Sequence, residues 1–405
     1  MTATGSQVRR EWDEFSISLV RNDLLFRLQR RIGLIPEGGL GVGRRAIFWT
    51  LLAWLPLAVW ALLNGRALQG AVQEPLLAHF AVHARLLIAI PAFLAAEALA
   101  HRAMGSYLPH FVQSGLVGPE SVPAFKDALR DTAELRDRAF PWVVMAGIAL
   151  AAMGYSAITR EVGGVAWAER MEELGWAVDA DGGLGFGGWW LLVVGRPIFL
   201  ILWLGWLWRL ALLFRLFRRI SQLDLSLVPT HADGMAGLGF LARVPAMFGP
   251  VVFAISAVIA ATWGHQIMYH GAHVTQFKAP MIAFVVVVLL LFLSPNLAFA
   301  GVLQRTRRQA LLDYGALVAR QGRLVRERWI KGHEVPGTGL LEAPELGPVA
   351  DVNSLYQPVE KMRPVPIGLA TLAGVLLPAA LPMLPVLAIE IPIKELLTGL
   401  IKTLM

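Results

Sequence analysis

Apolar stretches of membrane-crossing length alternate along the chain with short polar segments. The longest unbroken one reads MIAFVVVVLLLFL from Met281 to Leu293. Each is about 20 residues long, which matches the hydrocarbon thickness of a bilayer when wound as a helix. The pattern predicts seven spans: Ala46 to Leu63, Leu86 to Met104, Pro141 to Ile158, Trp189 to Leu213, Pro245 to Met268, Pro280 to Leu303 and Pro366 to Ile389. The expected fold is therefore all-α, a polytopic transmembrane helical bundle. Span 7 carries Pro378, Pro382 and Pro385. Proline removes backbone donors and clashes with the preceding turn, so a re-entrant last segment, leaving six spans, is the alternative.

Between the spans, amphipathic helices are expected on one side. Asn22 is in position to cap a helix with Leu24, Leu25, Leu28 and Ile32 toward lipid and Arg27, Arg30 and Arg31 toward phosphates. Ser121 to Arg138 reads as a surface helix. From Leu303 to Ile330, Leu303, Ala310, Leu317 and Leu324 recur every seven residues beside many arginines. That stripe packs on its own neighbours or holds a cytoplasmic partner. The chain divides into an N-terminal amphipathic segment (1–45), a six-span bundle (46–303), a basic helix with a Gly/Pro linker (304–365), and the Pro-rich last span with a C-terminal amphipathic helix (366–405).

Composition agrees: 56% of residues are hydrophobic and 16% charged, against about 25% charged in soluble domains, and the mean hydropathy is +0.58. The absence of cysteine excludes disulfides and thiolate metal ligation. No cleavable leader is expected ahead of span 1, which is then expected to do the targeting. Of the 36 Lys and Arg residues, 27 fall in one alternating set of flanking segments, 7 in the other and two inside span 4. A basic loop resists translocation, so the N-terminus is expected in the cytoplasm and the protein in a bacterial inner membrane. The net charge of +7 suits anionic inner-leaflet lipid and requires no nucleic acid. Tryptophans such as Trp49, Trp60, Trp142, Trp189, Trp206 and Trp263 sit near span ends, as an interfacial belt would place them.

Three constellations carry candidate chemistry. At 100° per residue a helix beginning near Pro75 sets His79, His83, Glu97 and His101 on one face. An intramembrane carboxylate faces protein, water or a counter-charge. Glu97 thus reads either as part of a polar path with His101, Ser294 and Asn296, or as one half of an ion pair, with Arg196 the expected partner. The second is an outer group, His79, His83, His265, His270 and His273, whose imidazoles could take a transition metal or sense pH, helped by the acidic loop around Glu161 to Asp181. No other cofactor is implied. The third is PTHADGMAGLGFL, where His231 and Asp233 could serve proton transfer or Asp233 could cap a helix starting near Gly234.

HADGMAGLGFL, with LLDYGALVARQ, RERWIKG, DVNSLYQPVEKMRPVP and NDLLFRLQRRIGLIP, resembles a group of bacterial integral membrane proteins without an assigned activity. That group more often has His-Pro-Asp, a basic residue and Gly-Gly in the first block. Ala232 and Met235 depart from it. The resemblance implies the membrane fold and transfers no functional residue. Three functions are compatible with the sequence: transport of a proton, ion or small solute along span 2; a scaffold or sensor using 303–330; or an enzyme using His231 and Asp233. A small-residue seam, Ser256, Ala260 and Gly264, suggests close helix packing and a homo-oligomer contact through span 5.

Overall fold

The computed structural model describes residues 14–68, 74–163, 172–178, 183–333 and 347–390. The C-terminal amphipathic segment and most of the acidic outer loop lie outside them. The described residues are helical, with two isolated bridges and no strand. Six helices are long and apolar enough to cross a membrane: α2 (Val42–Leu63), α3 (Phe80–Gln113), α6 (Phe186–Ile220), α7 (Gly239–Tyr269), α8 (Val274–Leu297) and α11 (Leu369–Ile389). The remaining expected span is a further helix, α5 (Phe140–Gly163). The other helices are α1 (Leu24–Arg31), α4 (Val122–Asp137), α9 (Ala300–Val325, continued by a π turn Arg326–Ile330) and α10 (Gly347–Glu360).

Contacts sort the connections into two ends. At one end Arg66 donates to carbonyls of Trp176 and Val178, and Glu74 meets His265 and His270. At the other, Ser226 N–H bonds Leu116 O, Arg219 pairs with Asp131, and Arg363 N–H bonds Gly234 O. This second end, the basic face, carries α1, α4 and α9. The two sets match the division by Lys and Arg content.

The prolines of span 7 do not turn it back. Its helix runs from Leu369 to Ala380, tightens to a 3₁₀ turn at Leu381–Met383 and resumes from Leu384. Gly374 lies against Ala246, Pro378 against Gly249, and Val386 against Gly264. α11 thus runs parallel to α7 along its length, as two odd-numbered crossings must. Between them the small-residue seam is filled: Ser256 and Ala260 are buried, and the Ser256 hydroxyl donates to Ala379 O at 2.5 Å. The small residues expected to form an oligomer contact through span 5 accept here a helix of the same chain.

α1 has a different cap from the expected one. Asp23, not Asn22, is its cap, accepting from Phe26 N–H at 2.7 Å, while Asn22 takes a left-handed conformation. Its buried face is Asp23, Phe26 and Gln29, with Leu28 and Ile32 exposed. Burying a carboxylate requires partners, and the bundle supplies them. α9 packs on α10, where Tyr356 approaches Gly315 and Arg307 donates to Glu360 O. Two of the Trp residues expected in the belt, Trp142 and Trp206, are core residues, and the Trp206 indole donates to Phe93 O at 3.1 Å.

Candidate functional site

α3 is the element from which both polar regions are built, though not as one straight face. His79 lies before the helix with non-helical backbone, and a π turn occupies Ala84–Ala89. A π turn holds more residues per turn than an α-helix, so positions beyond it rotate out of the alignment that 100° per residue would give. The expected shared face of His79, His83, Glu97 and His101 is accordingly broken. His83 belongs to the packing: its Nδ1 accepts from the Trp54 indole at 3.0 Å and its Nε2 lies 3.0 Å from Leu76 O.

Glu97 is completely buried and held by two guanidinium groups. Arg45 reaches one oxygen at 2.5 Å and Arg209 the other at 2.9 Å. Arg209 also pairs with Asp23 at 2.9 Å, and Arg45 donates to Gln29. Two acids and two arginines, all at most 2% exposed, form a chain neutral in sum. Arg45 lies over the Phe26 ring and Arg209 over Trp206. Burial pushes the Asp23 carboxyl above its ordinary range, against the lowering effect of Arg209.

Arg196 is not the partner of Glu97. It lines a cavity of about 220 Å³ with Arg85, against Ala149 to Met153 of α5. Depth explains the difference. Arg196 is near the start of α6, far from the basic face, whereas Arg209 is 13 residues further along, about 20 Å at 1.5 Å per residue. The periodicity of the spans contained that signal, since Arg209 and Glu97 come out at similar depth when both helices are measured from the same surface. Arg45 and Asp23 lie outside the hydrocarbon by sequence and carried no such signal.

Ser294 and Asn296 line no path with Glu97. The Ser294 hydroxyl donates to Leu291 O, and the Asn296 amide donates to Leu241 O at 2.9 Å and Pro366 O at 3.0 Å. Asn296 thereby ties α8 to the start of α7 and to the segment entering α11.

Beyond the charge cluster, toward the basic face, a cavity of about 840 Å³ opens between the N-terminal segment, α3 and α4. Its lining includes Arg21, His101, Arg102 and Arg136, with Ser16, Ser18, Asn22 and Ser106, and no carboxylate. Arg136 is engaged by Asp137 at 2.7 Å and by Ser18 O. Arg21 and Arg102 pair with no carboxylate among the described residues, and His101 Nδ1 is buried without a hydrogen bond there. An adjoining space of about 380 Å³ shares Arg21, His101 and Arg102 and is walled by Gly38 to Val42. Gly41 is left-handed, and a Cβ there would meet Leu34 O at 2.8 Å, so this wall needs glycine.

The His231–Asp233 loop is held together from within. Asp233 accepts from the N–H groups of Met235 (2.8 Å), Gly237 (3.2 Å) and Gly239 (2.7 Å), and His231 Nδ1 lies 3.0 Å away. Burial raises the Asp233 carboxyl, but these donors outweigh it and hold it below the usual range. Its Oδ2 accepts the first N–H of the 3₁₀ turn that begins at Gly239, five residues beyond the expected Gly234, while Oδ1 holds the loop before it. A Cβ on Gly239 would stand 2.7 Å from that of Asp233, which accounts for the glycine.

At the opposite end of α3, Glu74 lies 3.2 Å from His265, 3.3 Å from His270 and 4.0 Å from His79. Glu74 has no helical or motif signal in the sequence. His273 is exposed at the N-cap of the turn Val274–Phe277. Comparison with known proteins returns no counterpart: no family model matches the chain, and neither a curated protein nor a solved structure is similar to it.

Proposed function

We propose that this integral membrane protein, with its basic face in the cytoplasm of a bacterial inner membrane, binds a small anionic ligand in the cavity lined by Arg21, His101 and Arg102. The observation that carries this reading is a ligand-sized cavity with guanidinium groups and no carboxylate in its lining. Cavities of 300–1,000 Å³ take small molecules, and guanidinium recognises phosphate or carboxylate with paired hydrogen bonds. The same face carries exposed arginines 305, 308, 320, 323 and 326 on α9, suited to anionic headgroups. We place the chain with the bacterial group that its sequence blocks resemble.

Among the expected activities, passage along span 2 is the least supported, because Glu97 is closed off by two arginines rather than open to a path. The scaffold reading must share its helix with α10, which packs on it, and with the core, which takes Leu303. Catalysis at Asp233 competes with three backbone hydrogen bonds already made. Thermal denaturation of the detergent-purified chain with inorganic phosphate or succinate tests the ligand reading. One of these anions stabilises the wild type, and the Arg21→Gln, Arg102→Gln double variant loses at least tenfold in apparent affinity. Equal responses from wild type and variant refute it.

A further inference from the structure

The group at the far end of α3 poses a chemical problem. His265 Nδ1 lies 2.9 Å from Ala78 O, which can only accept, so this nitrogen carries the ring hydrogen. In a neutral imidazole the other nitrogen, Nε2, is then a lone pair. It faces Glu74 Oε2 at 3.2 Å and His270 Nε2 at 3.4 Å, while Glu74 Oε1 lies 3.3 Å from His270 Nε2. The His265 Nε2 lone pair facing the Glu74 carboxylate oxygen needs a positive centre between them. A proton on His265 would supply one. Charge-assisted N–H···O bonds, however, close to about 2.7–2.9 Å, and these separations are longer.

They match a different object. A tetrahedral ion with ligands at about 2.0–2.1 Å has ligand–ligand edges of about 3.3 Å. His265 Nε2 lies at such separations from Glu74 Oε2 (3.2 Å) and His270 Nε2 (3.4 Å), and the other carboxylate oxygen, Oε1, lies 3.3 Å from His270 Nε2. His79 Nε2 lies 4.0 Å from Glu74 Oε2, and the ligand atoms of Glu74, His79 and His265 lie within 4.8 Å of one another. The His265–Ala78 bond is the outer-shell contact that metal-binding histidines characteristically make, fixing the tautomer with Nε2 toward the ion. His79 and His265 are buried, whereas Glu74 and His270 are 26% and 34% exposed at their side chains, leaving an entry route.

We infer that Glu74, His79, His265 and His270 form a binding site for a divalent transition metal of the zinc class on the face opposite the basic one. Three imidazoles and a carboxylate favour Zn²⁺ over Ca²⁺ or Mg²⁺, which take oxygen ligands. The ion joins the α2–α3 connection, through Glu74 and His79, to the end of α7, through His265 and His270, so its binding clamps these two parts together. The site does not depend on the anion cavity. Of the histidines expected to share an ion, His83 and His273 take no part, and Glu74 supplies the carboxylate.

The full chain in detergent, stripped with chelator, is titrated with Co²⁺ and Zn²⁺. One Co²⁺ per chain gives the intense visible absorption of tetrahedral coordination, Zn²⁺ displaces it, and Zn²⁺ raises the melting temperature. Glu74→Gln and His270→Gln each weaken binding at least tenfold while the metal-free melting temperatures stay near that of the wild type. Absence of stoichiometric binding, a weak octahedral spectrum, or affinity unchanged in both variants overturns the assignment.

Discussion

Two regions along α3, its middle around Glu97 and its start around Glu74, both gather carboxylates and cationic or ionisable groups, yet they differ in saturation. Around Glu97 each carboxylate oxygen has a guanidinium, and the charges of Asp23, Arg45 and Arg209 balance it in a site closed to solvent. Around Glu74 one carboxylate faces three histidines, one of which presents a lone pair, at separations too long for strong hydrogen bonds and with a side open to water. Matched partners make a polar cluster structural, and unmatched ones leave it something to bind.

The largest effect that distinguishes the two regions is expected at Glu97. Removing one member of a buried ion pair leaves its partner uncompensated, at a cost of about 3–5 kcal/mol. Glu97→Gln should lower stability by that order in chemical unfolding of the purified protein. A variant that unfolds like the wild type would mean that the cluster is hydrated and the contrast false. Next in size is Asp233, saturated like Glu97 but outside the spans. Its carboxyl is held below the ordinary range, so its contribution is full above the unfolded value of about 3.9 and is lost as pH falls through the lower folded value. Asp233→Asn should cost on the order of 1–3 kcal/mol at neutral pH and flatten the acid limb of the stability curve.

Ser256→Ala, which removes the hydroxyl bond to Ala379 O, should cost about 0.6 kcal/mol, typical of a hydrogen bond between membrane helices. A several-fold larger loss would show that the α7–α11 seam depends on this bond more than on its small-residue packing. The smallest effect is expected at the open end. Glu74→Gln without metal should change stability by less than about 1 kcal/mol, as for partly exposed ion pairs. Should it match Glu97→Gln instead, Glu74 too is a structural member.

The crossings were legible because lipid imposes one period and one length. The seam at Ser256 was legible as close packing, though not its occupant, since a row of small residues does not say which helix fills it. The proline-rich span was ambiguous for a local reason: α11 satisfies its backbone through a 3₁₀ turn and close packing on α7, neither visible in a proline count. The partner of Glu97 was misassigned to Arg196 because membership of the right helix was weighed without depth. Asp23, Arg45 and Glu74 escaped because they lie in segments whose pairing is set by tertiary folding. The π turn of α3 had the widest effect, separating histidines that a regular helix would align with Glu97.

The cluster around Glu97 also constrains the order of biosynthesis. Its partners are 52 residues upstream, at Arg45, and 112 residues downstream, at Arg209. At about 5–20 residues per second of translation, roughly 6–20 s separate the appearance of Glu97 from that of Arg209. During that interval Arg45 is the only one of the two guanidinium groups yet made, so the Arg45–Glu97 pair between α2 and α3 can form first and Arg209 of α6 can close the cluster only afterwards.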